Sequence, residues 1–146
     1  MALPKPEPGL VIYYSYLWNR EFVRGREEGA KDRPCAIVAA VTSTVEGETR
    51  VLVLPITHAA PDKATPAVEI PATVKKQLKL DGDRSWIVLS EWNEFVWPGP
   101  DLRRRPGGND TSFAYGFLPR GFFASVRDRF VAAVEAGRAA KVTRTE

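Results

Sequence analysis

Cys35-Ala-Ile-Val-Ala-Ala-Val41, then Glu46-Gly-Glu48, then Val51-Leu-Val-Leu54: two continuous apolar runs of strand length flank one polar turn. That pattern predicts an antiparallel β-hairpin of buried strands. Upstream, Leu10-Val-Ile-Tyr-Tyr-Ser-Tyr16 follows Pro8-Gly9 and is rich in β-branched and aromatic residues, which predicts a further strand. Asn19 to Asp32 is charged, contains Gly25 and Gly29, and is read as a long loop or flexible hairpin. Downstream, Val68-Glu-Ile70 and Trp86-Ile-Val-Leu89 suit short strands, Pro71 to Leu80 suits one or two helical turns, and Phe95-Val-Trp97 stops at Pro98-Gly-Pro100. The segment Asp101 to Ser112 is the most loop-like of the chain. After it, Phe122, Val126, Phe130 and Val134 recur at i, i+4 and predict an amphipathic helix ended by Gly137, with Lys141 to Glu146 fraying. The expected fold is mainly β with a C-terminal α-helix: a small curled antiparallel sheet or barrel with the helix across one end or face.

The chain has 146 residues, one domain's worth, so residues 1–146 are read as a single domain with frayed termini. Hydrophobic residues make up 44% and charged residues 27%, a soluble globular profile. One Cys and one His exclude an internal disulfide and a Cys/His zinc cage. No apolar stretch approaches a membrane span, and Met1-Ala-Leu-Pro-Lys-Pro-Glu-Pro is too Pro-rich for a signal peptide, so the cytoplasm is the expected compartment and no membrane is expected as a partner. The net charge of +3 arises in the last third, where residues 101–146 carry nine basic and five acidic side chains. A basic surface there suits an anionic partner, although a solvated helix face and tail explain it equally well.

Nucleotide-cradling Gly-rich loops, HExxH, GxSxG and Cys–His pairs at motif spacing are all missing, as are carboxylate clusters suited to a divalent metal. Neither a cofactor nor a metal is expected. What stands out is one end of the predicted hairpin. Lys31-Asp-Arg33-Pro34 precedes its first strand and Thr57-His58 follows its second, and antiparallel pairing sets these ends side by side. A guanidinium that forks around two phosphate oxygens, a hydroxyl, and an imidazole that moves protons near neutral pH suit phosphate chemistry. The competing reading pairs Arg33 with Asp32 or a loop acid and gives Thr57-His58 no role beyond ending a strand.

These residues carry a resemblance. Pro8-Gly-Leu-Val-Ile12, Gly29 followed by Arg33-Pro-Cys-Ala-Ile-Val38, Val51-Leu-Val-Leu-Pro-Ile-Thr57 and Gly116-Phe-Leu118 before the helix resemble the PemK/MazF toxins over residues 8–136. Those toxins are the endoribonucleases of bacterial type II toxin–antitoxin modules. The resemblance implies an SH3-like β-barrel, a homodimer that holds single-stranded RNA along its groove, and growth inhibition. It implies metal-free cleavage to a 2′,3′-cyclic phosphate and a 5′-hydroxyl. A cognate antitoxin is the implied protein partner, and operator DNA is bound only as the toxin–antitoxin complex. By position, Arg33 matches the family's catalytic arginine and Thr57 its catalytic threonine.

The chain also departs from the family. Where some members carry an arginine and an aspartate on a later strand, this sequence has Val88 or Leu89 and then Glu91. Glu91 is therefore a candidate general base, and His58 a candidate acid or base. Lys31, Trp92 and the run Arg103, Arg104 and Arg105 are candidate RNA contacts, and Trp18 and Trp97 lie near loops where a base could stack. Trp86, inside an apolar run, is expected in the core. The alternative function is a catalytically degenerate SH3-like module that binds nucleic acid or an antitoxin.

Overall fold

A computed structural model of the chain describes residues 3–22, 31–106 and 112–144. The expected hairpin is present: β2 (Arg33–Thr42) pairs antiparallel with β3 (Thr49–Thr57), with Cys35 opposite Pro55 and Ala40 opposite Val51. On the far side of β2 lies β1 (Leu10–Tyr14), which places Ile12 opposite Cys35 and Tyr14 opposite Arg33.

The outer edge of β3 has two partners. Its first half, Arg50–Val53, pairs with β6 (Glu91–Val96), and its last residues, Ile56 and Thr57, pair with β5 (Trp86–Val88). Pro55 falls at the break between the two, so its missing N–H deprives neither ladder of a donor. β4 (Ala67–Glu69) completes one edge beside β5. β7 (Leu102–Arg103) and β8 (Ala114–Phe117) share the outer edge of β1. Nine strands thus form one sheet among the described residues, antiparallel but for its final pair, and the ladder does not close into a barrel.

Why the hairpin runs are continuously apolar is now plain. Side chains alternate across a strand, and here both faces are covered. Ile12, Cys35, Ile37, Val51, Val53 and Phe95 fill one core. Ala36, Val38, Leu54 and Ile56 point the other way, into a core capped by the helices α2 (Ala72–Gln77) and α3 (Arg120–Glu135). From α3, Val126 and Phe130 supply the buried stripe that the periodicity predicts. The helix ends as expected: Gly137 adopts φ +71° and its amide donates to the Val134 carbonyl, a left-handed cap that favours glycine.

Three expectations are corrected. Residues 140–143 do not fray but form β9 (Ala140–Thr143), parallel to β6, with Val142 fully buried. The Asp101–Ser112 loop begins with strand β7, and residues 107–111 of it lie outside the described set. Asn19 opens a short helix, α1 (Asn19–Phe22), and residues 23–30 of the predicted loop also lie outside.

What fastens β9 is polar. Arg144, 4% exposed, reaches Asp101 at 2.9 Å, the Ser15 carbonyl at 2.6 Å and Asn93 Oδ1 at 3.1 Å. Asn93 in turn exchanges two hydrogen bonds with the Leu17 backbone, at 2.8 and 2.9 Å. This network ties the strand after α3 to the segment that leads from β1 into α1. Removing one partner of a buried ion pair strands the other charge, at a cost of several kcal/mol. Asp101→Ala is therefore expected to lose about 3 kcal/mol of unfolding free energy, read from urea denaturation, while Lys141→Ala on the exposed face of β9 changes it by less than about 0.5 kcal/mol.

Candidate active site

Beyond the pair of Cys35 with Pro55, Arg33 begins β2 and Thr57 ends β3, so both fall at the same end of the hairpin. Both line an open cleft of about 820 Å³ at that end of the sheet. The Arg33 guanidinium is sparsely satisfied. Nη1 donates to the Ile56 carbonyl at 3.5 Å, and Nε is buried with no hydrogen-bond partner. Its planar group lies 4.9 Å from the centroid of the Trp18 ring, with Arg20 at the same distance from that ring. Stacking on an indole holds a guanidinium in place yet uses none of its five N–H donors. Thr57 Oγ1 accepts the Ala59 amide at 3.1 Å, which fixes the hydroxyl and leaves its proton for another acceptor. Asp32 does not neutralise Arg33: its carboxylate faces Arg103 at 3.8 Å.

Charge gathers around this pair. Six Lys or Arg side chains and two Asp side chains line the cleft. Five of the six cations (Arg20, Lys31, Arg33, Lys75 and Lys79) come from the first two-thirds of the chain, which carries no net positive charge. The last third contributes Arg105 alone. A concave surface lined by one sign of charge focuses its field and draws in anions. On another wall Tyr115 meets Tyr13 edge-on at 6.3 Å, with the Arg105 guanidinium 4.5 Å from the Tyr115 ring. Burial pushes the Tyr115 phenol up to about 12 and raises that of Tyr13, where Asp32 adds to the effect against Arg33. Both hydroxyls are thus protonated donors at neutral pH.

His58, next along the chain, projects from the end of β3 onto the turn after α2, where Nε2 lies 2.7 Å from Asp81 Oδ2. The other oxygen, Asp81 Oδ1, accepts the Lys75 ammonium at 2.7 Å and the Asp83 amide at 3.1 Å. Partial burial alone would raise the Asp81 carboxyl. The Lys75 and Asp83 hydrogen bonds and the nearby His58 and Lys75 charges outweigh it and hold the group below its ordinary value. Lys75 itself is 5% exposed and also donates to Ser85 Oγ and to the Asp83 carbonyl. His58, Asp81 and Asp83 bring ligand-type atoms within 4.8 Å of one another. The Lys75 ammonium already occupies Asp81 Oδ1 and the Asp83 backbone there, which leaves the set a poor fit for a divalent ion.

Of the residues singled out from the sequence, Lys31, Arg33, Thr57, His58 and Arg105 meet at this cleft. Others do not. Glu91 lies off the cleft, with Oε1 accepting the Tyr16 hydroxyl at 3.1 Å and the Asn19 amide at 2.8 Å. Its carboxylate is spent on shaping the approach to α1. Trp92 packs edge-on against Phe130 at 5.4 Å, between sheet and helix and away from the cleft. Arg103 donates to the Pro100 carbonyl, and Arg104 covers the Phe113 ring at 5.1 Å. Trp97 is half-buried beside Phe95, whereas Trp18 does line the cleft, mostly buried with the Arg33 guanidinium over its ring. Trp86, expected in the core, is half-buried with Arg84 5.0 Å from its ring. Asp81 and Lys75 escaped the sequence reading because Asp81-Gly-Asp83 signals only a turn, and nothing local marks one lysine of α2 as buried.

Comparison with known proteins adds no identity: the chain matches no protein-family model, no curated protein and no solved structure.

Glu91 permits a sign-specific test. Burial raises its carboxyl above the ordinary value, against the pull of the Asn19 and Tyr16 hydrogen bonds. The folded state then binds this proton more tightly than the unfolded chain. Its contribution to stability is present below the unfolded carboxyl value of about 4.3 and is lost as pH rises through the folded one. Glu91→Gln, which keeps an acceptor oxygen but no charge, is expected to gain stability relative to wild type between pH 4 and pH 7. Urea midpoints at the two pH values check this, and a difference that shrinks would contradict it.

Proposed function

We propose that the protein is a PemK/MazF-like endoribonuclease that cleaves single-stranded RNA without a metal, by attack of the 2′-hydroxyl to leave a 2′,3′-cyclic phosphate and a 5′-hydroxyl. One observation carries this reading: a guanidinium with unspent donors beside a threonine hydroxyl, in a cleft whose charge is mostly positive. The chemistry needs cationic stabilisation of a charged phosphorane, a base for the 2′-hydroxyl and an acid for the leaving oxygen. Arg33 would hold two non-bridging oxygens, Thr57 would donate to a third acceptor of the phosphate or to the attacking hydroxyl, and His58 would serve in proton transfer. Lys31, Lys79 and Arg105 would track the neighbouring phosphates.

The same proposal covers the finer architecture and partners. The sheet would be an open variant of the SH3-like barrel, since β3 is shared between β2, β5 and β6 and both faces of the hairpin are buried. A homodimer, a cognate antitoxin, operator DNA bound through that complex, and a cytoplasmic site of action would follow from the resemblance. The second reading, a binding module that no longer cuts, draws on Val88 and Leu89. Both are buried in the core, so the strand that carries a further arginine in some toxins brings none to this cleft.

Incubation of a single-stranded RNA in EDTA separates the two. The endoribonuclease yields cyclic-phosphate ends, and both Arg33→Ala and Thr57→Val reduce the rate, Arg33→Ala by roughly 100- to 1000-fold. RNA bound but left intact would establish the binding module instead.

A further inference from the structure

We propose that Asp81 is a positioning residue for His58, and that the buried Lys75 is there to hold Asp81 in place; this rests on the RNA-cleaving reading above. A histidine at the end of a strand, half exposed, has several rotamers available. The 2.7 Å contact from Nε2 to Asp81 Oδ2 selects one of them and sets the donor nitrogen, which leaves Nδ1 with its lone pair as the base. A carboxylate does this only if it is itself held. Asp81 is: Lys75 and the Asp83 amide fix its other oxygen.

The cost of that arrangement is informative. Burying an ammonium is expensive unless every donor finds a partner. Lys75 finds three, namely Asp81 Oδ1, Ser85 Oγ and the Asp83 carbonyl, all in or beside the turn that carries Asp81. A surface pair such as His58–Asp81 contributes little to stability, so its value lies in orientation. Arg33, Thr57, His58 and Asp81 all line the one cleft.

In the step this implies, the 2′-oxygen bonds to phosphorus as its proton passes to His58 Nδ1. Asp81 stabilises the imidazolium that forms. The bond from phosphorus to the 5′-oxygen breaks, and the leaving oxygen takes a proton from water in the open cleft. The hydroxide so formed is neutralised by the proton held on His58, and the enzyme is restored with no net change of protons.

The test is a double-mutant cycle on cleavage of a single-stranded RNA oligonucleotide by the full chain. Asp81→Asn is expected to lower kcat by about 10- to 100-fold, with KM, and the affinity for the same oligonucleotide fully 2′-O-methylated, within about threefold of wild type. In a His58→Ala background, Asp81→Asn should cost nothing further, because the two groups act as a unit. Asp81→Glu, which keeps the charge, should recover most of kcat and so separates lost orientation from a damaged fold. An unchanged kcat in Asp81→Asn, fully additive losses in the double variant, or Asp81→Glu no better than Asp81→Asn would each overturn the assignment while leaving the endoribonuclease reading intact. A wild-type protein that binds the oligonucleotide and never cuts it overturns both.

Discussion

The register of β2 against β3, with Cys35 opposite Pro55, is the constraint on which the cleft depends. A slip of one residue would turn Arg33 and Thr57 to opposite faces of the sheet. The apolar pattern alone does not prevent that slip, because the runs are buried on both faces and either face accepts them. Three features of the surroundings choose the register. Val38 is left over where the pairing shifts between Ile37 and Ala39, which fits the extra residue of a bulge. Pro55 must lie where β3 changes partner from β6 to β5. β1 locks the other side, with Ile12 opposite Cys35. The site is thus positioned by its neighbours' pairing rather than by contacts within it.

Electrostatically, the cleft illustrates why charge counted along a chain differs from charge in space. The positive excess lies in the last third, yet much of that third's charge is used locally: Arg144 on Asp101, Arg103 on Pro100 and Asp101, Arg104 on Phe113. The cleft draws instead on segments that are neutral overall. Some of their acids are directed elsewhere, with Glu91 accepting from Tyr16 and Asn19, and Glu69 forming a two-pronged pair with Arg84. What remains facing the cleft is six cations against Asp32 and Asp81. Their field would draw in a polyanion and set it against Arg33, whose buried Nε has no hydrogen-bond partner.

Strand and helix identities were legible wherever a run was long and its pattern simple: the hairpin, the strand at Leu10, the helix ending at Gly137. The meeting of Arg33 with Thr57 was legible too, because it needs only one antiparallel pair. Features set by distant parts of the chain were not. β9 exists because Arg144 and Val142 find a buried place beside β6, and its four residues carry no strand signal strong enough to announce that. In Glu91-Trp-Asn-Glu94 polar residues mask a strand: Asn93 is fully buried by its bonds to Leu17 and Arg144, so it behaves as core despite its chemistry. Glu91 and Trp92 lie away from the cleft, since alternation places them against α1 and α3. Asp81 reaches the cleft only through the fold of α2 and its turn.

The central claim is that a scissile phosphate sits between Arg33 and Thr57. It is tested most directly by a crystal structure of the protein with a single-stranded RNA carrying a 2′-deoxy substitution at the cleaved nucleotide, which leaves the bond intact. The account predicts a phosphate forked by the Arg33 guanidinium, within hydrogen-bond distance of Thr57 Oγ1, with the 2′-position of the preceding sugar turned toward His58. RNA seated on another face of the sheet, with the Arg33 donors unchanged, would contradict it.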